Sequence, residues 1–543
     1  MSPFIFLVRG DYTQPLPKRV RPKRIEAQAR SRSQIEETLT MLDVSRKDLT
    51  AGVAGSGTMG RGIIQVLAQC GVRVLVFDAK AGAGKTAKDS ISGALAKLVE
   101  KGRVKQKDMD ATLARIEVVD DLKAFAPCHL VVEAIVELLD VKRKFFSELE
   151  AIVNEDCIIA SNTSSLSVTA MAAHLEKPGR VAGYHFFNPV PVMKVVEVVG
   201  GVMTEPWVTE ALTELSKRYG HTAVNCQDTP GFIVNHAGRG FVPESLRIYQ
   251  EGIAEPAVID RILTDAAGFR LGPFGLMDLV GLDIAHGVMK SMYEQYYQEP
   301  RYKPSFVADP RVAAGLLGRK TGRGWYEYKD GALVPEPESS APPARPTSVW
   351  IAPDAPSLKE MIGRLNVKSE SGAKPSPDAL CLVAPIGKDA TTAALEHGLD
   401  AERTVAVDPL FGFTKRRTIM TTPVTKSAYR AMAHGLLAAD GVPVSVIKDS
   451  PGFVAQRVVA HIVNVGCDIA QQNIASPEDL DRAVVLGLGY PQGPLAMGDA
   501  LGADKILAVL EAMYDFYKEP RYRPSPWLTR RARLGVSLLT PEN

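Results

Sequence analysis

The sequence is poor in the residue groupings that build metal centres and disulfide frameworks. Its six cysteines are scattered without a CxxC pair, and its nine histidines form no HxxxH or mixed Cys/His group. Scattered cysteines are typical of unpaired thiols in a reducing compartment, and zinc sites need closely spaced ligands. The sequence therefore predicts a cytoplasmic protein without a bound metal.

Long apolar runs and an excess of one charge are also lacking. No run approaches the roughly 18 residues of a membrane-spanning helix, and 64 basic residues balance 62 acidic ones. We therefore expect neither a membrane nor a nucleic acid as a partner. Residues 18–32 are the exception, because they are strongly basic. We interpret residues 1–48 as a disordered basic extension or the result of a misplaced start codon; contact with a membrane or nucleic acid is the alternative.

Short β-branched runs alternate with helical patterns from residue 49 onward. "TAGVA" (50–54) and "RVLVFD" (73–78) are predicted strands, and further candidates are 129–135, 157–161, 181–187 and 194–199. Such alternation predicts a largely parallel sheet with helices on both faces. We assign residues 49–228 to this α/β domain.

Beyond it, the pattern becomes helical and then repeats itself. Residues 229–330 form a predicted helical domain. "DTPGFIVN" at 228 returns as "DSPGFVAQ" at 449, and "GPFGLMDLVGLD" at 272 returns as "GPLAMGDALGAD" at 493, both with an offset of 221 residues. The constant offset predicts a duplicated all-α domain, placed at 421–535. Because residues 335–378 are rich in Pro and Ser, 331–420 is interpreted as a linker with a small degenerate α/β segment.

A glycine-rich turn joins the first strand to the first helix. Its candidate cofactor-binding residues are Gly55, Gly57, Thr58, Met59 and Gly60. GxGxxG spacing permits a tight turn, the approach of a pyrophosphate and close helix packing. Asp78 ends the next strand, where an acid accepts hydrogen bonds from ribose hydroxyls and repels a 2′-phosphate. The turn predicts an NAD site; a glycine turn that binds nothing is the alternative.

A histidine and a glutamate interrupt two apolar strands. His185 ends one strand before "NPVP" and Glu197 lies in the next, so a turn between them puts the two side by side. A carboxylate on one imidazole nitrogen fixes the tautomer and leaves the other nitrogen as a base. Ser164 follows a further strand at the carboxyl edge, where such sheets bind ligands. The group suits proton removal from an alcohol; a satisfied buried His–Glu pair is the alternative.

Six motifs in this order resemble those of the L-3-hydroxyacyl-CoA dehydrogenases, over residues 49–329: "AGSGTMGRG", "VVEAIVE", "SNTSSL", "HFFNPVPVMKVVEV", "DTPGFIVN" and "KTGRGWY". The resemblance implies a Rossmann NAD-binding domain, a helical domain and an active site in the cleft between them. It implies that His185 is the catalytic base, Glu197 its partner, and Ser164 and Asn235 the groups that bind the substrate oxygen. The positions implied along the cofactor are Glu137, Lys142, Asn188 and Lys320. For Lys142 and Lys320 a solvated surface charge is the alternative.

The resemblance also implies the reaction, the NAD-dependent oxidation of a 3-hydroxyacyl-CoA in fatty-acid or phenylacetate-type catabolism. One Rossmann domain with two helical domains is similar to the layout of bacterial 3-hydroxyadipyl-CoA and 3-hydroxybutyryl-CoA dehydrogenases. Arg239 lies one helical turn after Asn235, where simple fatty-acyl relatives are apolar, and is suited to a distal carboxylate. A surface arginine or a contact with CoA phosphate is the alternative. His236, where arginine is common, and the glycines of "AGRG" depart from the family pattern.

The second copy lacks the residues of a working site. Gln456 stands in the place of Asn235, and the positions near 406 and 418 that match His185 and Glu197 hold neither histidine nor glutamate. We predict one working site, with the second copy in the place that a second chain takes in dimeric relatives. The chain is then a pseudo-dimer, with or without further oligomers. The rival functions are a dehydrogenase of a free hydroxy or sugar acid and a silent NAD-binding scaffold.

Overall fold

An eight-stranded sheet occupies the first part of the chain in the computed structural model, which describes residues 42–542. The predicted basic extension lies outside the described residues as far as Met41. The strands are β1 (Thr50–Ala54), β2 (Arg73–Phe77), β3 (Ile116–Val118), β4 (Leu130–Glu133), β5 (Ile158–Ser161), β6 (Val181–Phe186), β7 (Val195–Gly200) and β8 (Thr222–Gln227). Their order is β3-β2-β1-β4-β5-β6-β7-β8. Neighbours are parallel except β6 and β7, which pair antiparallel and bring His185 opposite Glu197.

Helices cover both faces of this sheet, as the alternating pattern predicts. They are α1 (Thr58–Gln69), α2 (Ala83–Glu100), α3 (Gln106–Ala114), α4 (Leu139–Glu150), α5 (Val168–Ala172) and α6 (Pro206–Arg218). Each longer helix buries one apolar stripe, for example Ile63, Ile64 and Leu67 of α1. The central strands are buried on both faces, which explains their nearly continuous apolar runs.

The first helical domain follows directly. Its helices are α7 (Val234–Ala237), α8 (Val242–Gln250), α9 (Pro256–Arg261), α10 (Pro273–Val280), α11 (Leu282–Gln295) and α12 (Asp309–Ala313), followed by the hairpin β9 (Tyr328–Lys329) and β10 (Ala332–Leu333). A 3₁₀ turn, Gly238–Gly240, interrupts the helix between α7 and α8. There Gly240 lies against Ile462 of the second copy, and a Cβ at this position would stand 2.6 Å from the Ile462 Cα.

A second sheet corrects the predicted boundary at residue 420. Its strands are β11 (Ser348–Ile351), β12 (Lys368–Ser369), β13 (Leu380–Val383), β14 (Thr404–Val407), β15 (Arg417–Thr421) and β16 (Val444–Ile447), and its helices are α13 (Pro356–Ile362), α14 (Ala390–Glu396) and α15 (Ser427–Leu437). The order is β12-β11-β13-β14-β15-β16. Placing the start of the helical domain at 421 was wrong because α15 is the crossover helix between the parallel strands β15 and β16.

The second helical domain therefore begins after Ile447. Its helices are α16 (Ala455–Gln471), α17 (Pro477–Leu488), α18 (Pro494–Leu501), α19 (Ala503–Tyr517) and α20 (Pro526–Leu534). The two copies contact each other reciprocally. The Gln227 amide donates to the Ile474 carbonyl (2.9 Å), and its repeat counterpart Lys448 donates to Ile253 (3.1 Å).

The repeat extends into the sheets. Strands β14, β15 and β16 pair as β6, β7 and β8 do, antiparallel and then parallel. In this register Thr418 is the counterpart of Glu197. The counterpart of His185 is Asp408, not a residue near 406. Four of the six strands, β13 to β16, have the same order and directions as β5 to β8.

Candidate active site

The glycine turn between β1 and α1 has the space that a dinucleotide needs. Gly55 has a φ of +92°, and a Cβ on Gly60 would collide with the Gly55 carbonyl oxygen. No atom lies within 4 Å of the Cβ position of Gly57, the residue that immediately precedes α1. Two glycines thus build the turn and the third leaves open space at a helix N-terminus, where backbone N–H groups favour phosphate. These residues fit NAD.

Asp78 lies at the end of β2 beside this turn. Its Oδ2 accepts hydrogen bonds from the Ser56 amide (2.7 Å) and hydroxyl (2.7 Å), and its Oδ1 accepts one from the Lys80 amide (2.9 Å). Burial acts to raise the pKa of Asp78, but these hydrogen bonds hold it below its ordinary value. The carboxylate is thus ionised and fixed next to the glycine turn.

His185 and Glu197 form the pair that the sequence predicts. The His185 Nδ1 lies 2.6 Å from Glu197 Oε2, in a site where Glu197 is fully buried. The other carboxylate oxygen, Oε1, accepts hydrogen bonds from the amides of Ile233 (3.0 Å) and Val234 (2.8 Å). Glu197 therefore joins the histidine to the start of the helical domain, one residue before Asn235. A hydrogen bond from the Nδ1–H group to Glu197 leaves Nε2 without a proton, as a base requires.

The loop after β5 carries Ser164 and is held by Glu137. The Glu137 Oε1 accepts hydrogen bonds from the Thr163 hydroxyl (2.6 Å), the Ser164 amide (3.1 Å) and the Ser165 hydroxyl (3.2 Å). Burial acts to raise the pKa of Glu137, but the Lys142 charge and these hydrogen bonds lower it. Glu137 is thus an ionised anchor for the loop.

Lys142 is not the solvated surface charge of the alternative interpretation. It is 1% exposed, and its Nζ lies 2.8 Å from Glu133 Oε1 and 2.9 Å from Glu137 Oε2. Glu133 was missed by sequence reasoning because a single acid at the end of an apolar strand carries no periodic signal. Its position at the carboxyl end of β4, the edge where such sheets bind ligands, was the available signal. Glu133 also accepts a hydrogen bond from the Ser161 hydroxyl (2.6 Å).

Ser164 and Asn235 meet in one cavity of about 290 Å³ between the two domains. The apolar side of this cavity is formed by α11, with Ile284, Val288 and Met292. At its rim, Lys320 is half exposed and its Nζ lies 2.6 Å from Asp283 Oδ1, so Lys320 is a paired rather than a free charge.

Asn188 lies in the exposed turn between β6 and β7, before Pro189. No hydrogen bond ties its side chain to the other site residues among those that the structure describes.

Arg239 is not at the surface, which removes the surface-arginine alternative. Its side chain is 9% exposed, and its Nε donates to the Asn235 carbonyl oxygen (2.9 Å). Its Nη1 is enclosed without a hydrogen-bond partner. Burial lowers the pKa of Arg239 to about 10, so the guanidinium is still charged at neutral pH. The neighbouring His236 is buried between Tyr302 (2.6 Å) and Tyr296 (2.9 Å), and burial lowers its pKa to about 3.

The corresponding place in the second copy is filled by side chains that bond to one another. The Gln456 Nε2 donates to Asp408 Oδ1 (2.9 Å) and to the Pro385 carbonyl (3.2 Å), while its Oε1 accepts from the Gly387 amide (2.8 Å). Both side chains are buried. The longer glutamine thus ties the second helical domain to the second sheet, where Asn235 instead lines a cavity.

Residues 42–542 contain neither a metal-ligand cluster nor a membrane-spanning helix. That part of the chain contains no group of three or more His, Cys, Asp or Glu side chains that would hold a metal ion. None of its helices is both long and apolar enough to cross a bilayer.

Comparison with known proteins agrees with this geometry. Residues 50–229 match the model of the 3-hydroxyacyl-CoA dehydrogenase NAD-binding domain, and residues 231–328 and 452–537 match that family's C-terminal domain twice. The chain is 38% identical to the 3-hydroxyadipyl-CoA dehydrogenase of Escherichia coli over 89% of its own length and 98% of the relative. It is 40% identical to the mitochondrial hydroxyacyl-coenzyme A dehydrogenase of Sus scrofa over 51% of this chain and 90% of that one.

A solved structure shares the whole layout. A crystal structure of an Escherichia coli 3-hydroxybutyryl-CoA dehydrogenase superposes with a TM-score of 0.80 at 37% identity, covering 90% of this chain and 99% of the other. The fold, the NAD cofactor and the acyl-CoA reaction predicted from the motifs are thus confirmed. The chain belongs to the 3-hydroxyacyl-CoA dehydrogenase family and is an NAD-dependent enzyme that oxidises 3-hydroxyacyl-CoA.

Proposed function

We propose that His185 is the base of this reaction and that Ser164 and Asn235 bind the oxygen on C3 of the substrate. NAD held by the glycine turn and Asp78 would supply the acceptor for the hydride that leaves C3. Support comes from the cavity that Ser164 and Asn235 share and from the Glu197 carboxylate, which holds both His185 and the backbone next to Asn235. As the C3 hydroxyl loses its proton, His185 Nε2 receives it and the Glu197 charge stabilises the resulting imidazolium.

The remaining predicted residues support this site. Glu137 and Lys142 hold the Ser164 loop in place, and we propose that they lie beside the nicotinamide, with Asn188 and Lys320 elsewhere along the cofactor. The Gly55–Gly60 turn and Asp78 are proposed to hold the pyrophosphate and the adenosine ribose.

We further propose that the preferred substrate carries a distal carboxylate, as 3-hydroxyadipyl-CoA does. The observation that carries this proposal is the Arg239 guanidinium, which is buried and takes part in no ion pair within the described residues. A buried charge without a counter-ion costs several kcal/mol, on the order of the desolvation penalty of one ion. A substrate carboxylate in this place offsets that cost, and a relative with 38% identity is named for such a substrate.

The test compares two six-carbon substrates that differ only at the far end. NADH oxidation is measured with 3-oxoadipyl-CoA and with 3-oxohexanoyl-CoA, for the unaltered protein, Arg239→Leu and His185→Ala. We expect a preference for 3-oxoadipyl-CoA that Arg239→Leu abolishes, and loss of turnover on both substrates for His185→Ala. Because a bidentate guanidinium–carboxylate pair is removed, kcat/KM for 3-oxoadipyl-CoA should fall about 10²-fold.

Equal losses on both substrates in Arg239→Leu contradict the distal carboxylate. No turnover on either substrate by the unaltered protein, despite NADH binding, favours a free hydroxy acid or sugar acid as substrate, or a silent scaffold.

We also propose that the chain works in the cytoplasm as a pseudo-dimer, with acyl-CoA as its partner and no nucleic acid. The reciprocal backbone contacts of the two copies support the pseudo-dimer. The close approach of Gly240 in the first copy to Ile462 in the second supports it as well. The scattered, unpaired cysteines support the cytoplasm.

A further inference from the structure

Arg239 has a polar neighbour from the second copy, Tyr490. Tyr490 is 5% exposed, and its ring packs 5.5 Å from that of Phe241 and 5.0 Å from that of Phe269. Gly238, adjacent to Arg239, lies next to Leu488, since a Cβ on Gly238 would stand 3.7 Å from a Leu488 methyl group. Phe241 lies two residues after Arg239, so Tyr490 packs beside the same turn of the chain. Burial raises the pKa of Tyr490, and the Arg239 charge opposes that rise.

Arg239 and Tyr490 have no equivalents at the symmetry-related positions of the repeat. At the offset of 221 residues, the counterpart of Tyr490 is Phe269 and that of Arg239 is Ala460. The fold therefore accepts a phenylalanine and a small apolar residue at these two positions. The guanidinium and the hydroxyl occur together, near the half of the repeat that carries the complete set of proposed catalytic residues.

Neither polar group is satisfied by the chain. The Arg239 Nη1 has no hydrogen-bond partner, and the Tyr490 hydroxyl takes part in none of the hydrogen bonds formed within residues 42–542. A buried guanidinium is costly unless something bonds to it. An acceptor next to Arg239 satisfies the guanidinium and offers the Tyr490 hydroxyl a partner as well.

We propose that Tyr490 of the second helical domain donates a hydrogen bond to the distal carboxylate of the substrate, next to Arg239. The degenerate copy then supplies a specificity residue to the single working site. This inference rests on the proposed dicarboxylyl substrate.

The test uses the full-length protein and the same two six-carbon substrates. Tyr490→Phe removes only the hydroxyl and reproduces the residue found at the repeat counterpart. We expect kcat/KM for 3-oxoadipyl-CoA to fall about 10- to 100-fold, the effect of losing one hydrogen bond to a charge. For 3-oxohexanoyl-CoA it should stay within twofold. Tyr514→Phe, a half-exposed tyrosine of α19 in the same domain, is the matched control and should change neither.

The outcomes separate this inference from the proposed function. If Arg239→Leu removes the preference for 3-oxoadipyl-CoA but Tyr490→Phe does not weaken it, the inference is overturned and the substrate proposal stands. If neither variant alters the preference, the dicarboxylyl substrate itself is wrong. Equal losses on both substrates in Tyr490→Phe, or a lowered melting temperature that accounts for them, assign Tyr490 a structural role and overturn the inference as well.

Discussion

Buried polar groups in this molecule differ in whether the chain itself satisfies them. Glu197 receives three hydrogen bonds, from His185 and from two backbone amides, and is therefore fully satisfied by the chain. Asp408, the counterpart of His185 in the second copy, is bonded to Gln456 and to the Leu410 amide. Arg239 is bonded only to its own helix backbone. The unsatisfied group is the one we assign to the substrate.

Replacing Glu197 by glutamine tests the orientation of the base. The glutamine Oε1 can still accept hydrogen bonds from the amides of Ile233 and Val234. Its amide nitrogen then donates a hydrogen bond to His185 Nδ1, so the ring proton moves to His185 Nε2, the proposed catalytic nitrogen. Oxidation of 3-hydroxybutyryl-CoA should fall about 10²- to 10⁴-fold, the range for loss of a general base. NADH binding, followed by fluorescence, should stay unchanged.

The exposed Glu210→Gln is the control for this experiment and should retain full turnover. A Glu197→Gln enzyme with more than a tenth of the normal rate would show that His185 does not act through Nε2.

The Asp408 carboxyl predicts a pH-dependent stability. Burial raises its pKa from 3.8 to about 6, although Gln456 and the Leu410 amide lower it. The folded protein therefore holds this proton more tightly than the unfolded chain, so the stabilisation is present below pH 4 and is lost as the pH rises through about 6. Asp408→Asn keeps an oxygen acceptor without the charge. Above pH 7 it should be more stable than the unaltered protein by up to about 3 kcal/mol, and the difference should vanish at pH 4.

Urea unfolding at the two pH values measures this difference. Asp515→Asn, at an exposed position, is the control and should show no such change. A variant that is less stable at pH 8 would mean that the charged form of Asp408 is the one that the fold needs.

At the scale of elements, periodic patterns predicted the first domain well and the second sheet poorly. Strands β1, β2 and β4 to β7 lie within one or two residues of the predicted runs, because each is a buried β-branched segment followed by a clear turn or helix, whereas β3 and β8 were not predicted. Strands β14 to β16 are as long as β1, β4 and β5, but they were missed because no glycine turn or family motif accompanies them. The predicted position of the His185 counterpart, near 406, was two residues away from Asp408. An offset measured on helices does not hold across loops of different length.

The candidate site divides in the same way. Gly55, Gly60, His185 and Glu197 lie in motifs whose spacing fixes their geometry, so the sequence sufficed. Glu133 lies only nine residues before Lys142, but a single acid at the end of an apolar strand carries no periodic signal. Tyr490 is distant from Arg239 in sequence, and only the fold brings the two residues near each other.

The glycine turn gives a prediction for the cofactor alone. Gly57 has a φ of −63° and open space at its Cβ position, so Gly57→Val should fold normally. Its side chain would fill the space proposed for the pyrophosphate, and the Kd for NADH should rise at least about tenfold, or about 1.4 kcal/mol. Calorimetric titration measures the Kd and thermal unfolding the stability. Gly93→Ala in α2, which also has open space, is the control.

A Gly57→Val protein with unchanged NADH affinity would place the pyrophosphate elsewhere. A loss of stability without a change in Kd would show that the turn serves the fold only.

At the scale of the whole molecule, the two helical domains carry different charges where they meet. Glu244 is fully buried in the first, and its Oε1 lies 2.5 Å from Arg457 Nε and 2.8 Å from the Tyr522 hydroxyl of the second. Glu251 lies 2.7 Å from Arg457 Nη1. Burial acts to raise the pKa of Glu244, but the charges of Arg457 and Arg521 hold it well below its ordinary value.

The repeat counterparts do not reproduce this network. Val465 occupies the position of Glu244, and His236 that of Arg457. In a symmetric pair of first helical domains, Glu244 would therefore lie opposite a neutral histidine, with no guanidinium to offset its burial. The charge pattern favours the pairing of the two copies within one chain over the pairing of like domains.

Removing both partners of this network should cost much less than the sum of the two single removals. Glu244→Leu leaves the Arg457 charge buried with only Glu251, and we expect the free energy of unfolding to fall by about 3–5 kcal/mol. Glu244→Leu combined with Arg457→Leu removes both charges and should cost much less than the two single changes added together. Denaturant unfolding of the four full-length proteins gives the coupling energy.

The same pattern makes a prediction for the separated copy. A chain cut after residue 330 loses Arg457 and Arg521, and Glu244 is left either in water on an exposed apolar face or buried opposite His236. Both arrangements are unfavourable, so the fragment should aggregate or unfold at a temperature well below that of the full chain. Addition of a separate chain of residues 331–543 should restore turnover. Sedimentation equilibrium and acetoacetyl-CoA reduction measure the two effects. A stable, fully active monomer ending at residue 330 would show that the second copy does not take the place of a partner subunit.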